Sequence, residues 1–418
     1  MERPFDRTWL GGRSPWWLGG LLSAALMLSG CTTGSDEQVT APVASLGTGA
    51  PAVPRQWLVT VGDSYISGEG ARWAGNTSGA ADAVDALGPR AYLDADGHEA
   101  EPGCHRARWS EADFGGRLRG MNLSCSGATT RSTGHGRRST PGLDFARETG
   151  GHVGQALALQ RFASRHDVAD VVVSIGGNDA GFSTVIGRCL TDFVTTVASE
   201  PVHCSDDAQL ATMLRRPSTA RLAAEISAAL RRVSRAMRRA GYASGDYRLV
   251  VQTYPSPLPP GPRIRYAENQ LERSVVGGCP WYDEDARWAD RVVVPAINLA
   301  VTEAVRMSRL TDVSVLDLSR ALVGHRLCER GVDLLTATRL RDWRDAGAVD
   351  RLEWVNAVYV KGAPWQVQES LHPNYWGTAA LGSCLRQLLA APTTASARCA
   401  PSRSGSRGGL PRMTVRTG

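Results

Sequence analysis

Two kinds of apolar pattern alternate along the chain between residues 56 and 390. Short continuous runs rich in β-branched residues are typical of buried parallel strands, and they are QWLVTV (56–61), VADVVVSIGGND (168–179), YRLVVQTYP (247–255) and VSVLDL (313–318). Longer segments repeat apolar residues at helical spacing, and they are HVGQALALQRFA (152–163), TARLAAEISAALRRVSRAMRRAG (219–241), ARWADRVVVPAINLAVTEAVRMS (286–308) and YWGTAALGSCLRQLLA (375–390). This alternation of strands and helices predicts a three-layer α/β/α fold around a central, mostly parallel sheet.

Residues 1–30 have a different pattern, which predicts a cleaved signal peptide. Three arginines precede the apolar run WWLGGLLSAALMLSG (16–30), which is too short for a membrane-spanning helix. The run leads into Leu28-Ser29-Gly30-Cys31, which resembles the lipobox of bacterial lipoproteins. That resemblance implies a diacylglyceryl group on Cys31, which is enough to anchor the protein stably to the outer face of the cytoplasmic membrane. The alternative is a plain secretory signal and a secreted protein.

The rest of the chain divides into three segments. Residues 31–54 are small, polar and punctuated by proline, which predicts a lipidated cysteine followed by a flexible tether. Residues 55–395 contain the alternating strands and helices and form the predicted folded domain. Residues 396–418 are basic and rich in glycine and serine without an apolar period, which predicts a disordered tail.

The cysteine content agrees with export. Nine cysteines less Cys31 leave eight, and an even number in an exported chain indicates disulfides. A zinc site is the competing explanation, but no Cys-x-x-Cys motif or Cys/His cluster has the spacing of metal ligands. We therefore expect disulfides and no metal, although counting cysteines does not establish which of them pair.

The charge pattern argues against a nucleic-acid partner. The formal net charge is +6, carried almost entirely by arginine. The arginines of RRVSRAMRRAG (231–241) recur at helical spacing, which is typical of a solvated helix face. An exported chain with no known nucleic-acid-reading motif is not expected to bind nucleic acid.

We expect the protein to be a monomer.

Residue types that are common in active sites follow several predicted strands. Gly62-Asp63-Ser64 ends the first strand, and Gly176, Gly177, Asn178 and Asp179 follow the strand beginning at residue 168. Ser126-Gly127 lies in another turn of small residues, and His372 precedes the last helix. Because active sites of open α/β folds lie at the carboxyl ends of parallel strands, we expect these turns to converge on one edge of the sheet.

These residues, in this order, resemble the four sequence blocks of the SGNH, or GDSL-type, serine hydrolases. The surrounding sequences GCHRARWS (103–110), CSGAT (125–129) and GHRLCE (324–329) are similar to the secreted actinobacterial lipases and esterases of that family. The resemblance covers roughly residues 55–395 and implies an SGNH hydrolase, or flavodoxin-like, fold. In that branch disulfides pair sequentially, which implies the pairs Cys104–Cys125, Cys189–Cys204, Cys279–Cys328 and Cys384–Cys399.

The resemblance also implies an activity, the hydrolysis of carboxylic esters through an acyl-enzyme without any cofactor. Ser64 would be the nucleophile and His372 its base, since a serine hydroxyl needs an adjacent base to react. The backbone N–H groups of Ser64 and Gly127 and the side-chain amide of Asn178 would form the oxyanion hole. Asp63 and Asp179 are expected to hold turns by accepting backbone hydrogen bonds.

The third member of the catalytic triad departs from the family pattern. The family places an aspartate three residues before the histidine, where this chain has Glu369. The longer carboxylate could orient the imidazole of His372, or the main-chain carbonyl at 369 could do so in a Ser/His dyad. A third possibility is that Glu369 is a surface acid without a catalytic role.

The sequence leaves the substrate open. The actinobacterial branch suggests lipid esters, and membrane association would follow from the lipid anchor. The alternative is a carbohydrate O-acetyl esterase, which the tryptophan-bearing segment 340–376 favours slightly. A proline-rich loop at 254–266 is expected to border the cleft. A non-catalytic, lipid-anchored binding protein of the same fold is the alternative from another class, although binding alone does not require Ser64, Asn178 and His372 together.

Overall fold

Seven strands form one sheet, in the spatial order β2-β1-β3-β4-β5-β6-β7. The strands are β1 Trp57–Gly62, β2 Arg119–Asn122, β3 Val168–Ser174, β4 Arg248–Gln252, β5 Val313–Asp317, β6 Ser396–Pro401 and β7 Met413–Thr417. Neighbouring strands run parallel, except that β7 is antiparallel to β6. The fold is therefore the predicted mixed α/β fold around a mostly parallel sheet.

The structure is a computed structural model that describes residues 56–134, 139–147, 152–196, 199–358, 364–391 and 396–417. The predicted signal peptide, Cys31 and the predicted tether lie outside these residues. No helix among the described residues is both long and apolar enough to cross a membrane.

Ten α-helices in the described ranges surround the sheet: α1 Ser64–Ser67, α2 Gln155–Ala163, α3 Phe182–Thr195, α4 Ala208–Met213, α5 Arg216–Arg239, α6 Asp283–Trp288, α7 Val294–Ser308, α8 Ala348–Arg351, α9 Pro364–Glu369 and α10 Tyr375–Ala390. The helices predicted over 152–163, 219–241, 286–308 and 375–390 correspond to α2, α5, α6–α7 and α10. In β3, the consecutive residues Val171, Val172 and Val173 are completely buried. Since successive side chains point to opposite faces of a sheet, both faces of β3 are covered.

The strand order creates a switch point between β1 and β3. From β1 the chain passes to β2 on one side of the sheet and then to β3 on the other. Connections that leave in opposite directions open a crevice at the carboxyl ends of the two strands, where ligands bind in open α/β folds. The turns that contain Ser64 and Asn178 follow β1 and β3 directly.

The prediction of a disordered tail is wrong for residues 396–417. Ser396–Pro401 pairs with β5, and Met413–Thr417 pairs with Ser396–Pro401. Ala397 and Cys399 are buried and alternate with more exposed neighbours, as in a strand with one buried face. The disulfide Cys384–Cys399 attaches this strand to α10, and Arg398 pairs with Asp317 of β5 at 2.7 Å. These attachments replace the apolar period that the tail lacks.

The four expected disulfide pairs are confirmed: Cys104–Cys125, Cys189–Cys204, Cys279–Cys328 and Cys384–Cys399. Their half-cystines are buried among the apolar residues of the core. Each pair closes a loop of 15 to 49 residues, so each restricts the unfolded chain more than the folded one.

The buried carboxyl group of Glu111, which contacts β4, predicts that the stability of the fold depends on pH. Glu111 is 2% exposed and accepts a hydrogen bond of 2.6 Å from Nε2 of Gln252 in β4. Burial outweighs this bond and raises the pKa of Glu111 from 4.5 to about 7. The folded protein therefore binds a proton more tightly than the unfolded chain, so this group destabilises the fold progressively as pH rises from 4.5 to about 7.

Glu111→Gln removes this ionisation and keeps an acceptor for Gln252. Relative to the variant, the wild-type free energy of unfolding should fall by up to roughly 3 kcal/mol between pH 4.5 and pH 8, at about 1.4 kcal/mol per pKa unit. Urea denaturation of both proteins across this pH range measures the difference. Parallel curves for the two proteins would show that Glu111 does not titrate abnormally.

Candidate active site

The turn after β1 presents Ser64 at the sheet edge. Gly62 has φ of 140°, and a Cβ at this position would lie 1.9 Å from the carbonyl oxygen of Ser174 in β3. Only glycine allows the two strand ends to approach so closely. Asp63 then caps α1 by accepting a hydrogen bond from the backbone N–H of Tyr65, which leaves Ser64 as the first helical residue. Asp63 therefore holds the turn, as predicted.

Ser64 and His372 lie within hydrogen-bond distance, although 308 residues separate them in sequence. Oγ of Ser64 is 2.7 Å from Nε2 of His372. The other ring nitrogen, Nδ1, is 3.1 Å from the main-chain carbonyl oxygen of Ser370. Because a carbonyl only accepts, Nδ1 carries the proton and Nε2 is free to accept the hydroxyl proton of Ser64. This is the tautomer that a general base requires.

The loop that carries His372 is held by several bonds from neighbouring elements. The hydroxyl of Tyr65 donates to the carbonyl of Leu371 at 3.0 Å. The backbone N–H of Leu371 donates to Asn356, and the N–H of Asn356 donates to the carbonyl of His372. Leu371 has φ of 62°, which is rare for a residue with a side chain. The hydrogen bonds around Leu371 hold it in this strained conformation.

Glu369 does not contact the imidazole of His372 through its carboxylate. Its two oxygens accept hydrogen bonds from Nε1 of Trp73 at 2.7 Å and from the hydroxyl of Tyr92 at 2.6 Å. Glu369 is 1% exposed, so it is not a surface acid either. Burial raises the pKa of Glu369 and outweighs these two hydrogen bonds. The expectation that Glu369 is the third triad member is therefore corrected.

The alternative in which a main-chain carbonyl orients His372 is correct, but this carbonyl belongs to Ser370 and not to residue 369. The carbonyl of Glu369 accepts the backbone N–H of His372 at 3.3 Å. The carbonyl that faces the imidazole belongs to Ser370. The arrangement is a Ser/His pair oriented by a main-chain oxygen.

Asn178 and Gly127, the other two residues expected at the site, lie in turns that follow β3 and β2. Asn178 follows β3 and lines the same cleft as Ser64 and His372. Its Nδ2 donates one hydrogen to the carbonyl of Ala128 at 2.9 Å, which leaves a second hydrogen on that nitrogen. Gly127 has φ of 72°, and a Cβ there would meet only a methyl group of Thr140 at 3.9 Å. Glycine at 127 is explained by this backbone conformation rather than by a close neighbour.

Asp179 connects these two turns, as predicted for a turn-holding residue. Its carboxylate accepts the backbone N–H of Thr130 at 3.0 Å and the hydroxyl of the same residue at 2.7 Å. The turn that contains Gly127 is thereby fixed against the turn that contains Asn178.

Asp63 connects the turn after β1 to the turn after β3. Its carboxyl group accepts a short hydrogen bond from the hydroxyl of Tyr254, which in turn accepts the backbone N–H of Gly177 at 3.0 Å. Burial raises the pKa of Asp63 to about 7, against the lowering effect of its bonds with Tyr254 and Tyr65. No motif or spacing in the sequence marks Tyr254 as the residue that connects the two turns.

The cleft beside Ser64 is mostly apolar. It has a cavity volume of about 90 Å³ and is lined on its apolar side by Phe182, Ile186, Val294, Ile297 and Leu371. A second, much smaller hollow of about 10 Å³ shares four of these residues and extends to Leu258 and Trp281. The proline-rich loop borders both spaces, as predicted, through residues 254–258. Helices α3 and α7 thus provide two apolar walls of the cleft.

Trp343, Trp354 and Trp376 do not line this cleft. Trp354 and Trp376 are 2% and 4% exposed and belong to the core. Trp343 packs against Tyr375 and Trp376. The side chain of Trp365 lies outside the described residues. Among the residues described, no group of three or more His, Cys, Asp or Glu is placed to hold a metal ion.

Comparisons with known proteins give the following similarities. No protein-family model matches the sequence, and no curated protein matches it significantly. A solved extracellular lipase from Streptomyces rimosus is 20% identical over 79% of this chain and 99% of its own, with a TM-score of 0.43. A phospholipase A1 from Streptomyces albidoflavus NA297 is 17% identical over 79% of this chain and 98% of its own, with the same TM-score of 0.43. A lipase from a goat rumen metagenome is 12% identical over 79% of this chain and 96% of its own, with a TM-score of 0.33.

The geometry predicts that Ser64 reacts with a fluorophosphonate, a probe for serine hydroxyls activated by a base. Wild-type protein should be labelled at Ser64. His372→Gln should slow labelling by at least about 100-fold, since it removes the base. Glu369→Gln should label at nearly the wild-type rate, because its carboxylate contacts Trp73 and Tyr92 instead of the imidazole.

Mass spectrometry of the labelled peptide gives the site and the time course gives the rate. Circular dichroism checks that each variant is folded. A folded Glu369→Gln protein that labels as slowly as His372→Gln would restore Glu369 to a triad role.

Proposed function

We propose that the protein is a serine esterase that hydrolyses carboxylic esters of apolar acyl groups. The observation that carries this proposal is the contact of 2.7 Å between Oγ of Ser64 and Nε2 of His372, at the edge of an apolar cleft. A hydroxyl paired with a base of the correct tautomer performs acyl transfer. The apolar walls provide a place for the acyl chain.

In the first step, Oγ of Ser64 attacks the carbonyl carbon of the ester while Nε2 of His372 takes the hydroxyl proton. A C–O bond forms, and the carbonyl π electrons move to oxygen, which gives a tetrahedral intermediate. The intermediate collapses as the bond to the leaving alkoxide breaks, and the imidazolium returns its proton to that oxygen. The products of this step are an alcohol and an acyl-enzyme on Ser64.

In the second step, water takes the place of the alcohol. His372 accepts a proton from water as the water oxygen attacks the acyl carbon. The second tetrahedral intermediate expels Oγ of Ser64, which regains its proton from the imidazolium, and a carboxylic acid leaves. The chemistry uses only side chains, backbone groups and water, so neither a metal nor an organic cofactor is required.

The negative oxygen of each intermediate needs hydrogen-bond donors. We assign this role to the backbone N–H groups of Ser64 and Gly127 and to the free hydrogen on Nδ2 of Asn178. The support is that Asn178 lines the cleft with Ser64, and that Asp179 ties the Gly127 turn to the Asn178 turn. Loss of one such donor typically costs about 2.7–4 kcal/mol of transition-state stabilisation.

The carbonyl of Ser370 takes over the orienting role of a triad carboxylate. It accepts a hydrogen bond from the N–H at Nδ1 of His372, and this bond keeps Nε2 directed at Ser64. A main-chain carbonyl is a neutral acceptor, so it fixes the tautomer without supplying a negative charge.

The lining of the cleft favours a lipid ester over an acylated carbohydrate. Side chains of Phe182, Ile186, Val294 and Ile297 offer no hydrogen bonds to sugar hydroxyls, but they suit a hydrocarbon chain. Trp343, Trp354 and Trp376, which would favour a sugar, pack elsewhere. A non-catalytic binding role does not account for the tautomer and distance of the Ser64–His372 pair.

We further propose that the protein is exported and anchored to the outer face of the cytoplasmic membrane through Cys31. The lipobox-like sequence at 28–31 supports the anchor, and four disulfides in the folded part support an oxidising compartment.

The primary test is hydrolysis of p-nitrophenyl esters from acetyl to palmitoyl by wild type and Ser64→Ala. Wild-type kcat/KM should rise from acetyl into the longer chains, because each buried methylene contributes about 0.8 kcal/mol. Ser64→Ala should lose this activity. A maximum at acetyl would favour the carbohydrate esterase, and a folded but inactive wild type would favour the binding protein.

The same ester series tests the position of the acyl chain. Ile186→Trp narrows both apolar spaces, so it should lower kcat/KM for long chains and leave acetyl hydrolysis nearly unchanged. Thr184→Trp is the matched control, since Thr184 is an exposed residue of the same helix outside the lining. Equal losses at all chain lengths would place the acyl chain elsewhere.

The anchor is tested by fractionating cells that express wild type or Cys31→Ala. Wild type should sediment with membranes, whereas Cys31→Ala should be found in soluble fractions because it cannot receive the acyl chains. Metabolic labelling with a fatty acid should mark wild type alone. Membrane retention of Cys31→Ala would contradict the lipoprotein assignment.

A further inference from the structure

A buried carboxylate, that of Glu69, lies close to the Ser64–His372 pair. Glu69 is 2% exposed and belongs to the glycine-rich turn after α1. Its Oε2 is 3.5 Å from Nε2 of His372, the ring nitrogen that also faces Ser64. Its side chain thus comes nearer to the reacting edge of the imidazole than the carboxylate of Glu369, which bonds to Trp73 and Tyr92.

Each carboxylate oxygen of Glu69 has its own donor. Oε1 is 2.6 Å from Nδ1 of His105, and Oε2 accepts the hydroxyl of Ser126 at 2.6 Å. These bonds fix the orientation of a side chain that would otherwise have several rotamers. They also satisfy a buried carboxylate, which is costly to bury without partners.

One disulfide holds both donors. His105 follows Cys104 in sequence, and Ser126 follows Cys125, its disulfide partner. The backbone N–H of Ser126 also donates to the carbonyl of Cys104 at 3.0 Å. The position of the Glu69 carboxylate is therefore determined by covalent structure as well as by hydrogen bonds.

The charges around Glu69 favour its ionised form. Burial alone would raise its pKa, but the neighbouring His372 and His105 and the hydroxyl of Ser126 together lower the pKa of Glu69. The pKa of His105 is in turn raised, since the bond and charge of Glu69 and the charges of Glu99 and Glu369 outweigh burial.

The other titratable groups near Glu69 are Tyr92 and Glu99, and neither replaces Glu69 as the anion beside His372. Tyr92 feels the negative charge of Glu69, and burial together with Glu369 raises the pKa of Tyr92 well above its usual range, so Tyr92 remains neutral. Glu99 lies on the far side of His105, at 3.5 Å from its Nε2. Among the described residues, Glu69 is the carboxylate that lies within 4.0 Å of a ring nitrogen of His372.

We propose that Glu69 is a positioning residue whose buried carboxylate stabilises His372 in its protonated form. This inference rests on the esterase function proposed above. The carbonyl of Ser370 fixes the tautomer of His372 but carries no negative charge, whereas the imidazole becomes a cation once it accepts the proton of Ser64. Glu69 supplies the missing charge from the Nε2 edge of the ring. Charge and orientation, which one triad carboxylate combines, are here divided between two groups.

The first experiment compares pH–rate profiles of wild type, Glu69→Gln and Glu69→Asp on a p-nitrophenyl ester. Glu69→Gln should reduce kcat by roughly tenfold or more with KM nearly unchanged, and it should move the acid limb of kcat/KM to lower pH by about one unit. The direction follows because removal of the anion makes the neutral imidazole available at lower pH. Glu69→Asp keeps the charge and should restore part of both changes.

The matched control is Glu329→Gln, which also removes a buried, ion-paired carboxylate. Glu329 pairs with Arg326 at 2.8 Å and does not line the cleft. This variant should lower stability and leave the acid limb in place. If Glu69→Gln lowers kcat equally at all pH values, as a partly unfolded protein would, Glu69 has only a structural role.

The second experiment does not require turnover. Histidine-labelled NMR in a Ser64→Ala background follows protonation of His372, assigned by comparison with His372→Gln. Adding Glu69→Gln should lower the midpoint of His372 protonation by about one pH unit. An unchanged midpoint overturns the inference even if the protein is an esterase. A shifted midpoint in a protein whose ester hydrolysis survives Ser64→Ala would retain the coupling and reject the proposed function.

If Glu69→Gln does not fold, the comparison is made with Glu69→Asp and Ser126→Ala. Ser126→Ala removes the hydroxyl that orients Oε2 and leaves the charge. Both variants should shift the midpoint of His372 protonation in the same direction as Glu69→Gln but by less. A wild-type midpoint in both would contradict the proposal.

Discussion

The close approach of β1 to β3 at Gly62 is the constraint on which the site depends. A Cβ at residue 62 would lie 1.9 Å from the carbonyl oxygen of Ser174. Both backbone groups of Gly62 bond to the side chain of Gln155, at 2.7 and 2.8 Å, and its carbonyl also accepts the N–H of Cys125. The end of β1, the start of α2 and the Cys104–Cys125 loop thus meet at one glycine. Ser64 emerges two residues later with little freedom of direction.

The histidine side of the site is fixed by the serine side. Tyr65, the neighbour of Ser64, donates to the carbonyl of Leu371, the neighbour of His372. Leu371 keeps an uncommon φ of 62° while it is buried at 2% exposure. A residue of this kind costs on the order of 1–3 kcal/mol and persists only where its surroundings determine it. In the proposed reaction this strained conformation preorganises the Ser64–His372 distance, which otherwise would have to be reached during each turnover.

Local patterns in the sequence predict much of this structure, but contacts between distant segments do not appear in them. The periodicity predicts the inner strands and the long helices, and the motif order predicts that Ser64, Asn178 and His372 share a site. Spacing suggested Glu369 as a triad member, but its carboxylate turns to Trp73 and Tyr92, 296 and 277 residues away. The last strands lack an apolar period and are held by Cys399 and Arg398. Glu69 between two glycines reads as a turn residue until its remote partners are known.

Three buried carboxyl groups near the site differ because their partners differ. Asp63 and Glu369 bond to neutral donors, so burial dominates and the pKa of each is raised, to about 7 for Asp63. Glu69 faces two imidazoles, and its pKa is lowered despite burial. Glu69 is therefore the most readily ionised of the three carboxyl groups, and it lies beside the ring that would become a cation in the proposed reaction. In the proposed division of roles, the neutral carbonyl of Ser370 has only to orient the ring, which it does from the Nδ1 edge.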